Sequence, residues 1–120
     1  MNKVQIIGRL TKDPEFRTTT NSQVANFTIA VDRVMTKEAD FIQCVAWGKL
    51  AELARDYRHK GDLTAITGRI QTRSYDDKDG KKRNITEVVV EEMQFLDFHG
   101  PKEKEGLEEF EEIDDLKIPF

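Results

Sequence analysis

Two segments of this 120-residue chain resemble known ligand-binding motifs, but neither motif is complete. Gly48-Lys49 resembles the end of a phosphate-binding loop. Gln43 stands where that loop needs its upstream glycine, and Leu50 stands where it needs Ser or Thr. The run Asp77 to Gly80 resembles part of a calcium loop, yet Thr86 occupies the position of the bidentate acid. The sequence therefore predicts neither nucleotide hydrolysis nor calcium binding.

The remaining nucleophiles and metal ligands are isolated in sequence. Cys44 is the single cysteine, so it lacks a partner for a zinc site and for an internal disulfide. It lies in an apolar run, which favours a buried, inert thiol over a nucleophile. His59 and His99 fall at a predicted helix end and a predicted domain end. We therefore expect a protein that is not an enzyme and that has no metal and no cofactor.

Aromatic residues alternate with basic ones on several predicted strands. Phe41, Trp47 and Tyr75 fall near the ends of the third and fourth predicted strands. Aromatic side chains on strands can stack on unpaired bases while nearby cations follow the phosphates. The basic residues on nearby strands or loops are Arg17, Arg33, Lys49, Arg73, Lys81, Lys82 and Arg83. Spacing alone leaves open the alternative that Phe41 and Trp47 belong to the core.

The elements that position these residues follow from hydrophobic periodicity. Strand patterns cover Met1 to Leu10, residues 23–34, 41–47, 63–75 and 85–98, and the stretch around Pro14 predicts an irregular break. Leu50, Leu53, Ala54 and Tyr57 share one helical stripe. Gly61 stands where a C′ glycine would end that helix, with basic residues 58–60 in its last turn. Asp79-Gly80 predicts a hairpin turn.

The order of three strands, one helix and two strands indicates an all-β fold. It matches the OB-fold, a five-stranded Greek-key barrel, with one α-helix between strands 3 and 4. A small β-sandwich is the structural alternative, but a single helix in that position favours the barrel.

Charge divides the chain into two parts near Gly100. Residues 101–120 carry three basic and eight acidic groups, a net charge of −5, whereas residues 1–100 carry 16 basic and 15 acidic groups, a net charge of +1. The predicted domain therefore spans residues 1–100, and residues 101–120 are predicted to form a disordered acidic tail. The whole-chain charge of −4 belongs to the tail and leaves the domain free to carry a basic face. No apolar run approaches the roughly 18 residues of a membrane span, and we expect a cytoplasmic location.

Five segments of the chain are characteristic in combination: Asn2-Lys3-Val4, Gly8-Arg9-Leu10 with Asp13-Pro14-Glu15, residues 24–30, residues 47–52 and Thr86-Glu87-Val88-Val89-Val90. Together they resemble the bacterial single-stranded DNA-binding protein family. The resemblance covers residues 1 to about 98 in order. It implies a nucleoid-associated homotetramer of OB-folds that coats single-stranded DNA during replication, recombination and repair.

The resemblance also assigns site residues. Its stacking aromatics correspond to Phe41, Trp47 and Tyr75, and a fourth platform corresponds to Met35, which lacks a π-face and can only pack on a base. A family arginine becomes Gln43, and a family histidine at a subunit contact becomes Ile42. The expected phosphate contacts, from the resemblance and from the basic pattern together, are Lys3, Arg17, Arg33, Lys49, Lys60, Arg73 and Arg83.

The C-terminal tip resembles the family's partner-binding peptide. Ile118, Pro119 and Phe120 form an apolar end after Asp114 and Asp115, so we expect the tip to recruit replication, recombination and repair proteins. The tail is shorter than is common in the family and carries Lys117, so a phage, plasmid or secondary chromosomal version is as plausible as a housekeeping one. The competing hypothesis is an OB-fold interaction module, such as a primosome-type accessory protein, whose main ligand is another protein.

Overall fold

The computed structural model describes residues 1–97, which form six strands and one helix. The strands are β1 (Val4–Leu10), β2 (Glu15–Thr18), β3 (Gln23–Asp32), β4 (Ala39–Trp47), β5 (Leu63–Asp76) and β6 (Lys82–Phe95), and the helix is α1 (Lys49–Tyr57). The predicted boundary near Gly100 and the predicted acidic tail lie outside the described residues.

The six strands form one sheet that closes into a barrel. Its order is β1-β5-β6-β4-β3-β2, and β1 also pairs with β3, which completes the ring. Neighbouring strands are antiparallel except β4 and β6, which run parallel. The helix lies between β4 and β5. The OB-fold prediction is confirmed, because this helix occupies the predicted slot once the short β2 is set aside.

The short strand β2 was not expected from the sequence. The break around Pro14 ends before Glu15, and residues 15–18 then pair with residues 23–26 of β3. Their turn is held by Thr19, whose side chain accepts from the Ser22 backbone N–H at 3.1 Å and donates to the Ser22 carbonyl at 2.9 Å. The four-residue strand was missed because its side chains are mostly exposed and show no apolar alternation.

Two glycines of the barrel lie where another strand approaches too closely for a side chain. A Cβ at Gly8 of β1 would overlap the backbone of Ala30 on β3. A Cβ at Gly68 of β5 would overlap the carbonyl oxygen of Val89, next to a bulge between Thr67 and Gly68. Bulges and glycines of this kind bend strands at barrel corners.

The core follows the period-two pattern of the strands. On β3 the inward residues Ala25, Phe27 and Ile29 are buried, as the alternation predicts. Helix α1 covers one end of the barrel with Ala51 and Ala54, and the partly buried residues Leu50, Leu53 and Tyr57 pack against the same core. The predicted helical stripe is therefore confirmed.

The end of helix α1 differs from the prediction. The helix stops at Tyr57, and Arg58 is its C-cap residue with an extended backbone. Gly61 lies in the following turn at a φ of 90°, where its N–H donates to the Leu10 carbonyl. Arg58, which was predicted to lie in the last turn of the helix, instead leaves it with its side chain turned inward.

Arg58 is a charged residue buried in the base of the barrel. Its side chain is 1% exposed and donates to the Leu63 carbonyl, to Thr64 Oγ1 and to both the side chain and the backbone carbonyl of Asp97. The guanidinium also lies 4.1 Å from the centre of the Phe95 ring. Burial lowers the pKa of Arg58 from its ordinary value, and the nearby acids oppose that effect. The network joins the end of α1 to the start of β5 and the end of β6.

Replacing Arg58 should destabilise the domain strongly. Arg58→Met keeps much of the volume but removes the guanidinium donor from Asp97, Thr64 and the neighbouring carbonyl groups, while Asp97 keeps its bond from the Leu63 N–H. Breaking a buried ion pair costs about 3–5 kcal/mol, and we expect about 3 kcal/mol because Asp97 is one-third exposed. Chemical denaturation would measure the loss. Lys12→Ala is the control, because its ion pair with Glu15 is exposed and should leave the midpoint nearly unchanged. An Arg58→Met midpoint equal to that of the unmodified protein would contradict this role.

Candidate nucleic-acid interface

Phe41 and Trp47 lie on the outer face of β4. They alternate with Ile42, Cys44 and Ala46, which face the barrel interior. Phe41 is 66% exposed and Trp47 is 49% exposed, so the alternative that they belong to the core is wrong. They are six positions apart on the strand, which separates them by roughly 20 Å along one surface.

The outer face of β4 is continuous with those of its neighbours. Between the two aromatics, Val45 packs with Val24 of β3 and Val89 of β6 in a small apolar cluster outside the barrel. Val24 is directly opposite Trp47, and Ala30 is directly opposite Phe41. Because these side chains are short, the two aromatic rings project beyond them from the outer surface of the sheet.

Tyr75 extends this surface along the β5–β6 hairpin. It is 45% exposed and pairs in register with Arg83, and Arg73 lies two residues earlier on the same face. The hairpin turn is built by Asp77, whose side chain accepts from the N–H groups of Asp79 and Lys81 and from Arg83 Nε. The Asp79-Gly80 hairpin prediction is confirmed. The same carboxylate fixes the Arg83 side chain beside Tyr75.

A polar cleft of about 260 Å³ joins the hairpin to the outer faces of β3 and β4. Arg73 and Glu87 border it on one side, and Asn26, Thr28 and Gln43 border it on the other. Gln43 lies between Phe41 and Trp47 on β4, two residues from Phe41. The cleft therefore places Arg73 beside the surface that carries the two β4 aromatics.

Met35 lies in the loop between β3 and β4 and not on the sheet. Its side chain is almost fully exposed and its φ is 68°, an uncommon conformation for a residue other than glycine. The loop leaves β3 at Asp32 and enters β4 at Ala39, two residues before Phe41. Met35 thus lies near the Phe41 end of the surface.

The predicted phosphate contacts differ in how far acids of the chain already engage them. Arg33 is the most engaged, with bonds from Nε and Nη2 to Asp40 and from Nη1 to Glu38. This pairing raises the pKa of Arg33 and lowers that of Asp40. Lys3 donates to Glu91 at 2.8 Å, and Arg83 donates to Asp77 at 2.7 Å, which lowers the pKa of Asp77.

Three other predicted cations are less constrained. Arg17 has no ion pair within residues 1–97, and its strand position is directly across β3 from Trp47. Lys49 is two residues beyond Trp47, highly exposed and 3.8 Å from Glu52. Lys60 lies in the connection between α1 and β5, where its backbone N–H donates to Asp13. Lys60 is therefore not on the strands that carry the aromatics.

Among the candidate catalytic and metal-binding residues, Cys44 lies inside the barrel and His59 lies just after helix α1. Cys44 is buried, and burial raises the pKa of its thiol to about 12, so the sulfur stays protonated at neutral pH. His59 lies 3.2 Å from Asp62 at the end of the helix. Within residues 1–97, no three His, Cys, Asp or Glu side chains are grouped as metal ligands. His99 lies outside the described residues.

An apolar cleft of about 470 Å³ opens where β4 diverges from the β5–β6 hairpin. Ile42 lines it together with Val4, Ile6 and Ile70, and Phe41 stands at its edge. Ile42 therefore contributes to the barrel margin, packed against the core.

Sequence reasoning missed the polar residues between the aromatics. Asn26, Thr28 and Glu87 were not proposed as site residues, although all three line the polar cleft. The sequence contained part of the signal for these residues, because alternation on β3 places Asn26 and Thr28 on the face that points away from the core. The position of Glu87 needed the register of the β5–β6 hairpin, which pairs it with Gln71.

Helix α1 has nine residues, and no helix within residues 1–97 has the length and apolar character needed to cross a membrane.

Comparison with known proteins finds a family match and similar curated proteins. Residues 1–96 match the Single-strand binding protein family. Single-stranded DNA-binding protein 3 of Clostridium acetobutylicum is 58% identical over 104 residues, which cover 82% of this chain and 72% of that protein. Single-stranded DNA-binding protein 2 of the same organism is 48% identical over an alignment that covers all of both chains. The Clostridium tetani single-stranded DNA-binding protein is 50% identical over an alignment that covers all of this chain and 86% of that protein.

The family match confirms both the resemblance inferred from five sequence segments and the interpretation that this is not an enzyme. The barrel, its outward aromatics and the match over residues 1–96 agree, and the chain belongs to the Single-strand binding protein family.

Proposed function

We propose that this chain binds single-stranded DNA without reading its sequence. The observation that carries the proposal is the exposure of Phe41, Trp47 and Tyr75 on one outer surface of the barrel, among basic side chains. The relatives' names state the same ligand. An exposed aromatic ring keeps its apolar face in contact with water. Stacking on a base removes that face of the ring and one face of the base from solvent, which stabilises the complex.

The arrangement favours single strands over duplexes. Base faces are accessible only when bases are unstacked, and every base offers such a face, so stacking selects for single strands and tolerates any sequence. The roughly 20 Å between Phe41 and Trp47 leaves room for several nucleotides between the two platforms. Arg17, Lys49, Arg73 and Arg83 supply charge along this path, and Met35 adds an apolar contact near Phe41. Lys3 and Arg33 are further phosphate contacts that must first exchange their acidic partners for DNA.

The tryptophan emission tests this proposal directly, because Trp47 is the single tryptophan of the chain. Adding oligo(dT) should quench it strongly, and an equal concentration of duplex of the same length should not. Trp47→Ala should weaken binding by about 1–3 kcal/mol, the usual contribution of one base–aromatic stack. Phe41→Ala and Tyr75→Ala should have similar effects in an anisotropy titration with labelled oligo(dT).

The matched control is Leu96→Ala, which removes an exposed apolar side chain just beyond the end of β6, away from the hairpin tip. It should leave the affinity unchanged. Emission that stays constant at saturating oligo(dT), with equal affinities for strand and duplex, would contradict the proposal. That result would favour the interaction-module alternative, in which another protein is the main ligand.

We also propose that the domain assembles as a homotetramer, as the family resemblance implies. Light scattering at micromolar concentration should give four times the chain mass. A clean monomer would contradict the assembly. Ile42→His, which restores the histidine that the family has at a subunit contact, would then be the first variant to measure.

We propose that the chain acts in replication, recombination and repair at the nucleoid, recruiting partners through its C-terminal tip. The supports are the resemblance and the sequence of the tip, whose residues lie outside the described structure. A basic partner surface could pair with Asp114, Asp115 and the terminal carboxylate while a pocket takes the Phe120 ring.

Deleting the last residue tests the role of the tip. Loss of Phe120 should abolish capture of replication and repair proteins on immobilised chain, while affinity for oligo(dT) stays equal or rises slightly, because Phe120 is not part of the proposed DNA-binding surface. Lys117→Asp should act in the opposite direction and strengthen capture, because it removes a cation facing a basic surface. Weaker DNA binding with intact capture after the deletion would contradict the proposal.

A further inference from the structure

A buried carboxylate lies on the outer face that carries the aromatics. Glu87 is in the middle of β6, and its residue is only 5% exposed. It shares a face with Val89, which belongs to the outer apolar cluster, whereas Val88 faces the core. A negative charge on a surface that binds phosphates would repel the ligand, so its presence there needs a physical reason.

Glu87 makes two hydrogen bonds, both to side chains of β5. Its Oε2 accepts from Arg73 Nε at 3.0 Å and from Gln71 Nε2 at 3.0 Å. Gln71 is directly opposite Glu87 in the hairpin, and Arg73 is the next residue on the same face. One carboxylate oxygen therefore fixes two neighbouring side chains of the adjacent strand.

The bond to Glu87 leaves most of the Arg73 guanidinium free. Within residues 1–97, Nε is the one guanidinium nitrogen of Arg73 with a hydrogen-bond partner, so both Nη groups remain open. Arg33 provides the contrast, since its Nε, Nη1 and Nη2 are all bonded to acids. Bidentate recognition of a phosphate needs two N–H groups side by side, which the fork of Arg73 still offers.

We propose that Glu87 is a positioning residue that orients Arg73 for phosphate binding. It holds the guanidinium by Nε at the border of the polar cleft, two residues from Tyr75, with the Nη groups available to the DNA backbone. A free arginine would lose rotamer freedom on binding, and Glu87 removes that cost beforehand. This inference rests on the proposed function and deepens it by assigning a role to an acid on the binding face.

The test compares Glu87→Ala with Glu87→Gln. Both variants remove the same negative charge, so any relief of repulsion cancels between them. Glutamine keeps a carbonyl oxygen that can accept from Arg73 Nε, whereas alanine leaves the guanidinium unheld. Glu87→Ala should bind oligo(dT) roughly three- to tenfold more weakly than Glu87→Gln, the cost of ordering one long side chain.

The dependence on Arg73 separates positioning from general destabilisation. With Arg73→Ala in the background, Glu87→Ala and Glu87→Gln should bind equally, because the side chain being positioned is gone. Arg73→Ala itself should flatten the salt dependence by about 0.7 units, the value for one phosphate on a single strand. The matched control is Glu92→Ala against Glu92→Gln, an exposed acid of β6 with no partner within residues 1–97, for which both variants should bind alike.

The outcomes distinguish this inference from the function on which it rests. If the unmodified chain does not bind oligo(dT), the proposed function is wrong. If it binds and the two Glu87 variants bind alike, Glu87 acts only as a negative charge and the positioning role is overturned. A difference that persists in the Arg73→Ala background overturns it equally. Thermal unfolding of each variant establishes that it is folded, and Glu87→Val replaces the alanine variant if that one does not fold.

Discussion

Closure of the sheet into a barrel is the constraint on which the rest of this structure depends. Strand β1 must pair with β5 along most of its length and with β3 at its end, so β3 approaches it closely at Gly8. A side chain there would collide with the Ala30 backbone, and one at Gly68 would collide with Val89. Once the ring is closed, each strand has one face toward a shared core and one face toward solvent. That division makes the outer face available for a ligand.

Strand β4 shows how one segment serves both faces. Ile42, Cys44 and Ala46 contribute to the core, and the residues between them carry the interface. A shift of one residue in register would bury Phe41 and Trp47 and expose the core set. The inner side chains therefore fix the outward direction of the rings, and affinity for a ligand depends on the same packing that stabilises the domain.

Electrostatics on this molecule is mainly local and paired. In the described domain, Lys3, Arg33, Arg73 and Arg83 each contact a carboxylate, so an incoming phosphate competes with acids of the chain. The effect depends on which nitrogen the acid occupies: Asp40 and Glu38 take the whole fork of Arg33, whereas Glu87 takes one edge of Arg73. At the base of the barrel the same chemistry is structural, since Arg58 is enclosed by carbonyl groups, Thr64 and Asp97. Arginine therefore serves as a fully paired surface cation at Arg33, as a partly paired cation at Arg73 and as a buried structural donor at Arg58. A count of charges cannot distinguish these three roles.

The sequence by itself determined the order of the main elements, the inward set of β3, the helical stripe, the hairpin turn and the family. These features depend on local periodicity, turn chemistry and short motifs, which the sequence contains directly. Only the tertiary structure decided that Phe41 and Trp47 point outward, because alternation divides a strand into two faces without saying which one the barrel encloses. It also decided the strand β2, the inward turn of Arg58 and the contact of Glu87 with Arg73. Each of these depends on pairing between segments, and pairing is set by how the whole sheet closes.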